Sequence, residues 1–260
     1  MDMIDIQSQP DDRNIPINKV GVKGIQYPIT VFDRKNSIQH TIATINMYVN
    51  LPRHCKGTHM SRFIEILHLF RYEVSLKNIS TILKQMKTTL NAASAHIEIA
   101  FPYFIEKSAP VSKSKGLIDY VCKIAGSSDR MDVTDLIAEV TVPISTVCPC
   151  SKEISRYGAH NQRGKVQTRL RFKKFIWFED IITLIEKSAS SDVYSVLKRE
   201  DEKYVTEKGY NNPMFVEDVV RTVAEELRDD ENITWFSVSA ENFESIHNHS
   251  AYAFIESKQA

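Results

Sequence analysis

The spacing of apolar residues switches from strand period to helix period and back, and does so twice along this chain. Ala43, Ile45, Met47, Val49 and Leu51 alternate with mostly polar neighbours, the period of two that marks a half-buried strand. Gly21 to Asp33 reads as a strand before it. From Phe63 the period becomes helical. Phe63, Ile66, Leu67 and Phe70 share one face, and Ile79, Ile82, Leu83, Met86 and Leu90 make a second helix. Ile97, Ile99, Phe101 and Tyr103 return to strand period, and Leu117 to Ile124 gives a further strand.

The second half repeats the order. Leu136, Ala138, Val140, Val142 and Ile144 alternate, as do Val166, Thr168, Leu170 and Phe172. Helices are predicted at Phe178 to Lys187, at Ser191 to Lys208 and at Pro213 to Arg228, with strands at Ile233 to Ala240 and Ser250 to Glu256. Each half therefore predicts strand, strand, helices, strand, strand. The expected class is α+β: a duplicated unit whose antiparallel sheet carries helices on one face. Residues 1–13 are expected to be a flexible tail, 14–130 a first unit and 131–260 a second. Open edges and a partly apolar free sheet face predict oligomers that join sheets across copies.

Composition narrows the partners. Lys plus Arg and Asp plus Glu both number 33, so the formal net charge is zero, and no global basic field points to nucleic acid. A phosphate-bearing ligand would need a local pocket. The first residues are polar and acidic where a secretory leader would be basic and then apolar. No apolar run reaches membrane-spanning length. With four cysteines, the expectation is a cytoplasmic protein whose thiols are free or metal-bound.

Chemistry concentrates between Val147 and Gly164, VCPCSKEISRYGAHNQRG. Cys148 and Cys150 flank Pro149, and His160 follows in the same polar stretch. Soft sulfur and borderline nitrogen donors suit a zinc-like cation; two ordinary cysteines and a surface histidine would read the same way. Lys56, Ser61 and Arg62 sit in KGTHMSRF at a strand-to-helix turn, which suits either a phosphate or a capped helix with solvated charges. Glu217 lies beside the valines of an apolar helix. It is either a salt-bridged structural acid or a carboxylate that accepts from adjacent N–H donors of a base. Glu244, His247 and His249 fit proton transfer, with the two histidines on one side of a strand, or a histidine-rich surface loop. The acidic run Glu200, Asp201, Glu202 is either a solvated helix face or the source of a third metal ligand.

Five motifs in this order, VGVKGIQYP, GTHMSRF, PCSKEIS followed by GAHNQRG, NNPMFVEDVVR and ESIHNHSAYA, resemble the type IB GTP cyclohydrolases, the prokaryotic FolE2 family. The resemblance runs from Asn14 to Ile255. It implies a tandem tunnelling fold, in which antiparallel sheets from several subunits join into barrels with helices outside, and a homotetramer with intersubunit active sites. It implies conversion of GTP and water to 7,8-dihydroneopterin triphosphate and formate, the first step of folate biosynthesis. Carried over, Cys148, His160 and Glu202 match metal ligands for one divalent ion, zinc, manganese or iron, with Glu200 as the other acid in the run. Glu217 matches the guanine anchor, and His247, with Glu244 and His249, the proton-transfer group. Cys150 is implied as a second active-site thiol, and Lys56, Ser61, Arg62, Arg163 and Lys165 as triphosphate contacts. Two other readings compete: an NADPH-dependent nitrile reductase of queuosine synthesis, and a non-catalytic pterin- or metal-binding protein.

Overall fold

The computed structural model describes Gln7, residues 9–70, Leu76 and residues 78–257. Eight strands follow one another in the sheet in chain order, antiparallel throughout. They are β1 (Ile17–Asp33), β2 (Ser37–Leu51), β3 (Ala95–Ser108), β4 (Lys115–Ser128), β5 (Thr134–Val147), β6 (Asn161–Phe172), β7 (Ile233–Phe243) and β8 (Ser250–Glu256). The helices are α1 (Met60–Leu69), α2 (Ile79–Thr89), α3 (Pro149–Ile154), α4 (Phe178–Lys187), α5 (Arg199–Asn211) and α6 (Val216–Asp229). The chain divides into two compact units, residues 1–101 with 123–137 and residues 102–122 with 138–260.

In the first unit β2 buries Ala43, Ile45, Met47 and Val49 on one face, the face the alternation assigns to the core. α2 buries Ile79, Ile82, Leu83 and Met86. Gly126 of β4 makes room for it: a Cβ there would meet Ile79 Cγ2 at 2.4 Å. In the second unit α6 lays Val216, Val219, Val220, Val223 and Leu227 against β7 and β8, a stripe at three- and four-residue spacing. The opposite faces of β5–β8 carry Thr141, Lys165, Gln167, Ser239, Glu241 and Tyr252, which line a groove of about 340 Å³.

Several expectations are corrected. Ser191 to Lys198 is not helical; α5 begins at Arg199, because Ser191 instead pairs with Ser145 of β5. α6 begins at Val216, three residues after Pro213. The stretch after Val147 contains a short helix, α3, with Pro149 in its first turn, a position where the missing N–H costs nothing. His247 and His249 lie in the β7–β8 loop, ahead of β8, and not on a strand. Of the expected N-terminal tail, Met1 to Ile6 and Ser8 lie outside the described residues. The remainder makes backbone contacts: Lys56 N donates to Gln9 O, Gly57 N to Gln7 O, and Pro10 bridges to Cys55.

Candidate active site

Cys148 is the N-cap of α3, and its Sγ accepts from Ser151 N at 3.4 Å. Its backbone N–H donates to His160 O at 3.1 Å. Ser151 closes the loop from inside: its hydroxyl donates to Cys148 O and accepts from His160 N, both at 3.1 Å. Twelve residues of sequence separation are thus reduced to one hydrogen-bonded turn. Cys148 and His160 are both half-buried, whereas Cys150 is exposed.

The His160 ring is fixed on one side. Its Nδ1 lies 3.1 Å from Gln162 Oε1 and 3.2 Å from Ser245 Oγ. With the amide oxygen as acceptor, the proton sits on Nδ1 and Nε2 keeps its lone pair. Metal-bound histidines are commonly oriented by such a second partner.

Ser245 also ties the β7–β8 loop to the thiol loop. Next to it, Glu244 is 13% exposed in its side chain and places Oε2 3.7 Å from His247 Nδ1. The His247 and His249 rings stack with centroids 5.2 Å apart. The loop placement corrects the strand argument, yet the two imidazoles still meet. Cys148, His160, Glu244, His247 and His249 therefore occupy adjoining loops of one unit.

The remaining expected residues stand apart. Glu202 is exposed on α5, and among the described residues no group of three His, Cys, Asp or Glu side chains is gathered that could hold a metal ion. Glu217 is exposed in the first turn of α6, with the valine stripe beside it. Met214 N donates to Val147 O at 3.0 Å, so the lead into α6 rests against the residue before Cys148. Arg163 is exposed on β6, across from Ser145. Lys165 forms an ion pair with Glu241 at 2.8 Å, and this pairing holds the Glu241 carboxyl below its ordinary pKa. Lys56, Ser61 and Arg62 belong to the other unit. There Arg62 donates to Thr89 O at 3.2 Å, and Ser61 lines a surface depression with Ile64, Glu65 and His68.

Sequence reasoning missed Ser151, Gln162 and Ser245. Gln162 carried a signal: a glutamine at the second residue of a strand, two residues from His160, shares that residue's side of the chain. It is 7% exposed, which its polarity alone would not predict.

Residues 3–253 match the family described as "Type I GTP cyclohydrolase folE2". The chain is 63% identical over 253 residues to GTP cyclohydrolase FolE2 of Desulfosudis oleivorans, covering 97% of each chain. It is 62% identical over 254 residues to GTP cyclohydrolase FolE2 of Syntrophobacter fumaroxidans, covering 98% of this chain and 99% of the other. Among solved structures, the urate oxidase of Bacillus subtilis 168 superposes with a TM-score of 0.52 at 9% identity, covering 92% of this chain and 97% of that one. The urate oxidase of Bacillus sp. TB-90 gives 0.53 at 7% identity, covering 94% and 100%. These two likenesses concern the fold alone. The chain belongs to the FolE2 family of type I GTP cyclohydrolases, hydrolases that catalyse the first step of folate biosynthesis. That membership sets aside the nitrile reductase and the non-catalytic binder. Among the described residues no helix is long and apolar enough to cross a membrane.

Proposed function

We propose that the family reaction, GTP and water to 7,8-dihydroneopterin triphosphate and formate, runs at a site centred on Cys148 and His160, with Glu202 completing the ligand set of one divalent metal. The observation that carries this reading is the hydrogen-bonded link from Cys148 through His160 to Ser245, which gathers the thiol loop and the histidine loop. A half-buried thiol and an imidazole with one nitrogen committed elsewhere fit zinc, manganese or iron, with a carboxylate as third donor. Bound there, such an ion supplies Lewis acidity and a water activated near neutral pH.

Helix geometry favours Glu202 over Glu200. A Cβ on Gly209 would meet Val147 Cγ2 at 3.4 Å, so that side of α5 faces the residue before Cys148. Seven residues turn a helix by about 700°, leaving Glu202 within about 20° of the Gly209 direction; Glu200, nine residues away, is about 180° off.

The other residues have separate tasks. Opening the guanine imidazole ring needs water at C8 and a proton on the departing ring nitrogen. His247 carries that proton, with Glu244 Oε2 3.7 Å from its Nδ1. His249 stacks on His247, and Cys150 serves as a second active-site thiol. Glu217 anchors guanine by accepting from its adjacent N–H donors, and its exposure leaves it available. Arg163, Lys165, Lys56, Ser61 and Arg62 contact the triphosphate, for which Lys165 must exchange Glu241 for phosphate. As the family resemblance implies, the reading includes a cytoplasmic homotetramer of tandem tunnelling folds with sites between subunits.

Incubation with GTP and a divalent metal tests the reaction. Formate and a pterin that becomes fluorescent on oxidation are expected in equal amounts, with no NADPH consumed. Intact GTP after prolonged incubation with each of the three metals would refute it.

A further inference from the structure

We infer that Asp201 is a positioning residue for the metal site: it fixes the first turn of α5, and thereby Glu202, to the β3–β4 hairpin. The inference rests on the assignment of Glu202 as a ligand. Asp201 is 0% exposed and accepts four hydrogen bonds. Oδ1 takes Val111 N and Ser112 N, both at 2.8 Å. Oδ2 takes Ser112 Oγ at 2.6 Å and Lys198 N at 2.8 Å. A buried carboxylate satisfied this fully is held rigidly, because each bond to a charged acceptor is about twice as strong as a neutral one.

The bonds form a short path to Glu202. Glu202 N donates to Lys198 O at 2.9 Å, the first helical bond of α5. Lys198 N donates to Asp201, and Asp201 grips the hairpin. Gly116 of β4 supplies an independent sign that the hairpin and the lead into α5 are built to touch: a Cβ there would meet Ser195 Oγ at 2.2 Å and Val196 Cγ2 at 2.9 Å. Without the Asp201 anchor the first turn of α5 would be free to fray, as helix ends do, and a carboxylate one residue on would lose its fixed direction. Burial opposes the charge on Asp201, but the Ser112, Lys198 and Val111 donors outweigh it and hold its pKa well below the ordinary carboxylate range.

The test is a double-mutant cycle on the full chain, with zinc alone as probe and a chromophoric chelator as competitor. Glu202→Gln is expected to weaken zinc binding at least tenfold. Asp201→Asn, which places an amide N–H against Lys198 N–H, is expected to weaken it by about tenfold, the lower end of the range for residues that orient ligands. Ser112→Ala, a milder change in the same network, should weaken it in the same direction and guards against misfolding of the first variant. Adding Asp201→Asn to Glu202→Gln should cause no further loss, because Asp201 acts through Glu202. A full additional loss in the double variant would overturn the positioning role and leave a general fold support. Wild-type affinity in both Asp201→Asn and Ser112→Ala would also overturn it. Unchanged affinity in Glu202→Gln would refute the ligand assignment, and the inference with it.

Discussion

Cys148 and His160 are the residues proposed to carry the chemistry, and their substitution should be the least tolerated. Cys148→Ala is expected to abolish GTP turnover and to lower metal content, since two remaining donors hold an ion poorly. Metal analysis of the purified variant beside its turnover checks this; wild-type values for both would remove Cys148 from the site. Glu217→Gln should behave differently. The amide is nearly isosteric and the residue is exposed, so fold and metal content should persist while KM for GTP rises about tenfold or more, from the loss of one acceptor and the new N–H facing a donor. An unchanged KM would return Glu217 to the helix surface. At this scale the sequence showed two thiols and an imidazole in one polar loop, a pattern that ordinary cysteines and a surface histidine share. It hid Gln162 and Ser245, which matter only after folding brings Nδ1 of His160 within 3.2 Å of both.

Among the elements, legibility followed the sharpness of the apolar stripe. α4 lies at Phe178–Lys187 as expected because Phe178, Ile181, Ile182 and Ile185 leave no alternative face. α5 began eight residues later than expected because its lead-in is held by partners distant in sequence. Asp192 in that lead-in pairs with Lys208 at 2.9 Å and with Lys107 of β3 at 3.1 Å. α3 was missed because six residues are too few for a periodic signal. The Asp192 pairing has a pH consequence. Burial raises its pKa, but the hydrogen bond from Lys208 and the charge of Lys107 lower it more, so the net shift is downward. A depressed carboxylate contributes stability that is complete above its unfolded value, about 3.9, and is lost as pH falls through the lower folded value. Denaturant midpoints taken downward from pH 5 should therefore fall, and Asp192→Asn should flatten that fall. An equally steep profile in the variant would show that other acids dominate.

For the molecule as a whole, the sequence made the α+β class and all eight strands visible, because alternation is strongest where one sheet face is buried. It could not show which copies meet, since an exposed acid such as Glu217 looks the same whether it faces water or a neighbour. Glu217 is exposed, which leaves it available to a site completed between subunits. Sedimentation at assay concentration should find a tetramer carrying all activity; a fully active monomer would contradict that arrangement.

GTP opening is proposed to depend on a metal held by the Cys148–His160 loop. The most direct measurement is back-titration of chelator-stripped protein, with formate release followed at each metal addition. Stripped protein is expected to release no formate, recovery to level off at one divalent ion per chain, and His160→Ala to show no recovery. Full formate release by stripped protein, or by His160→Ala, would contradict that dependence.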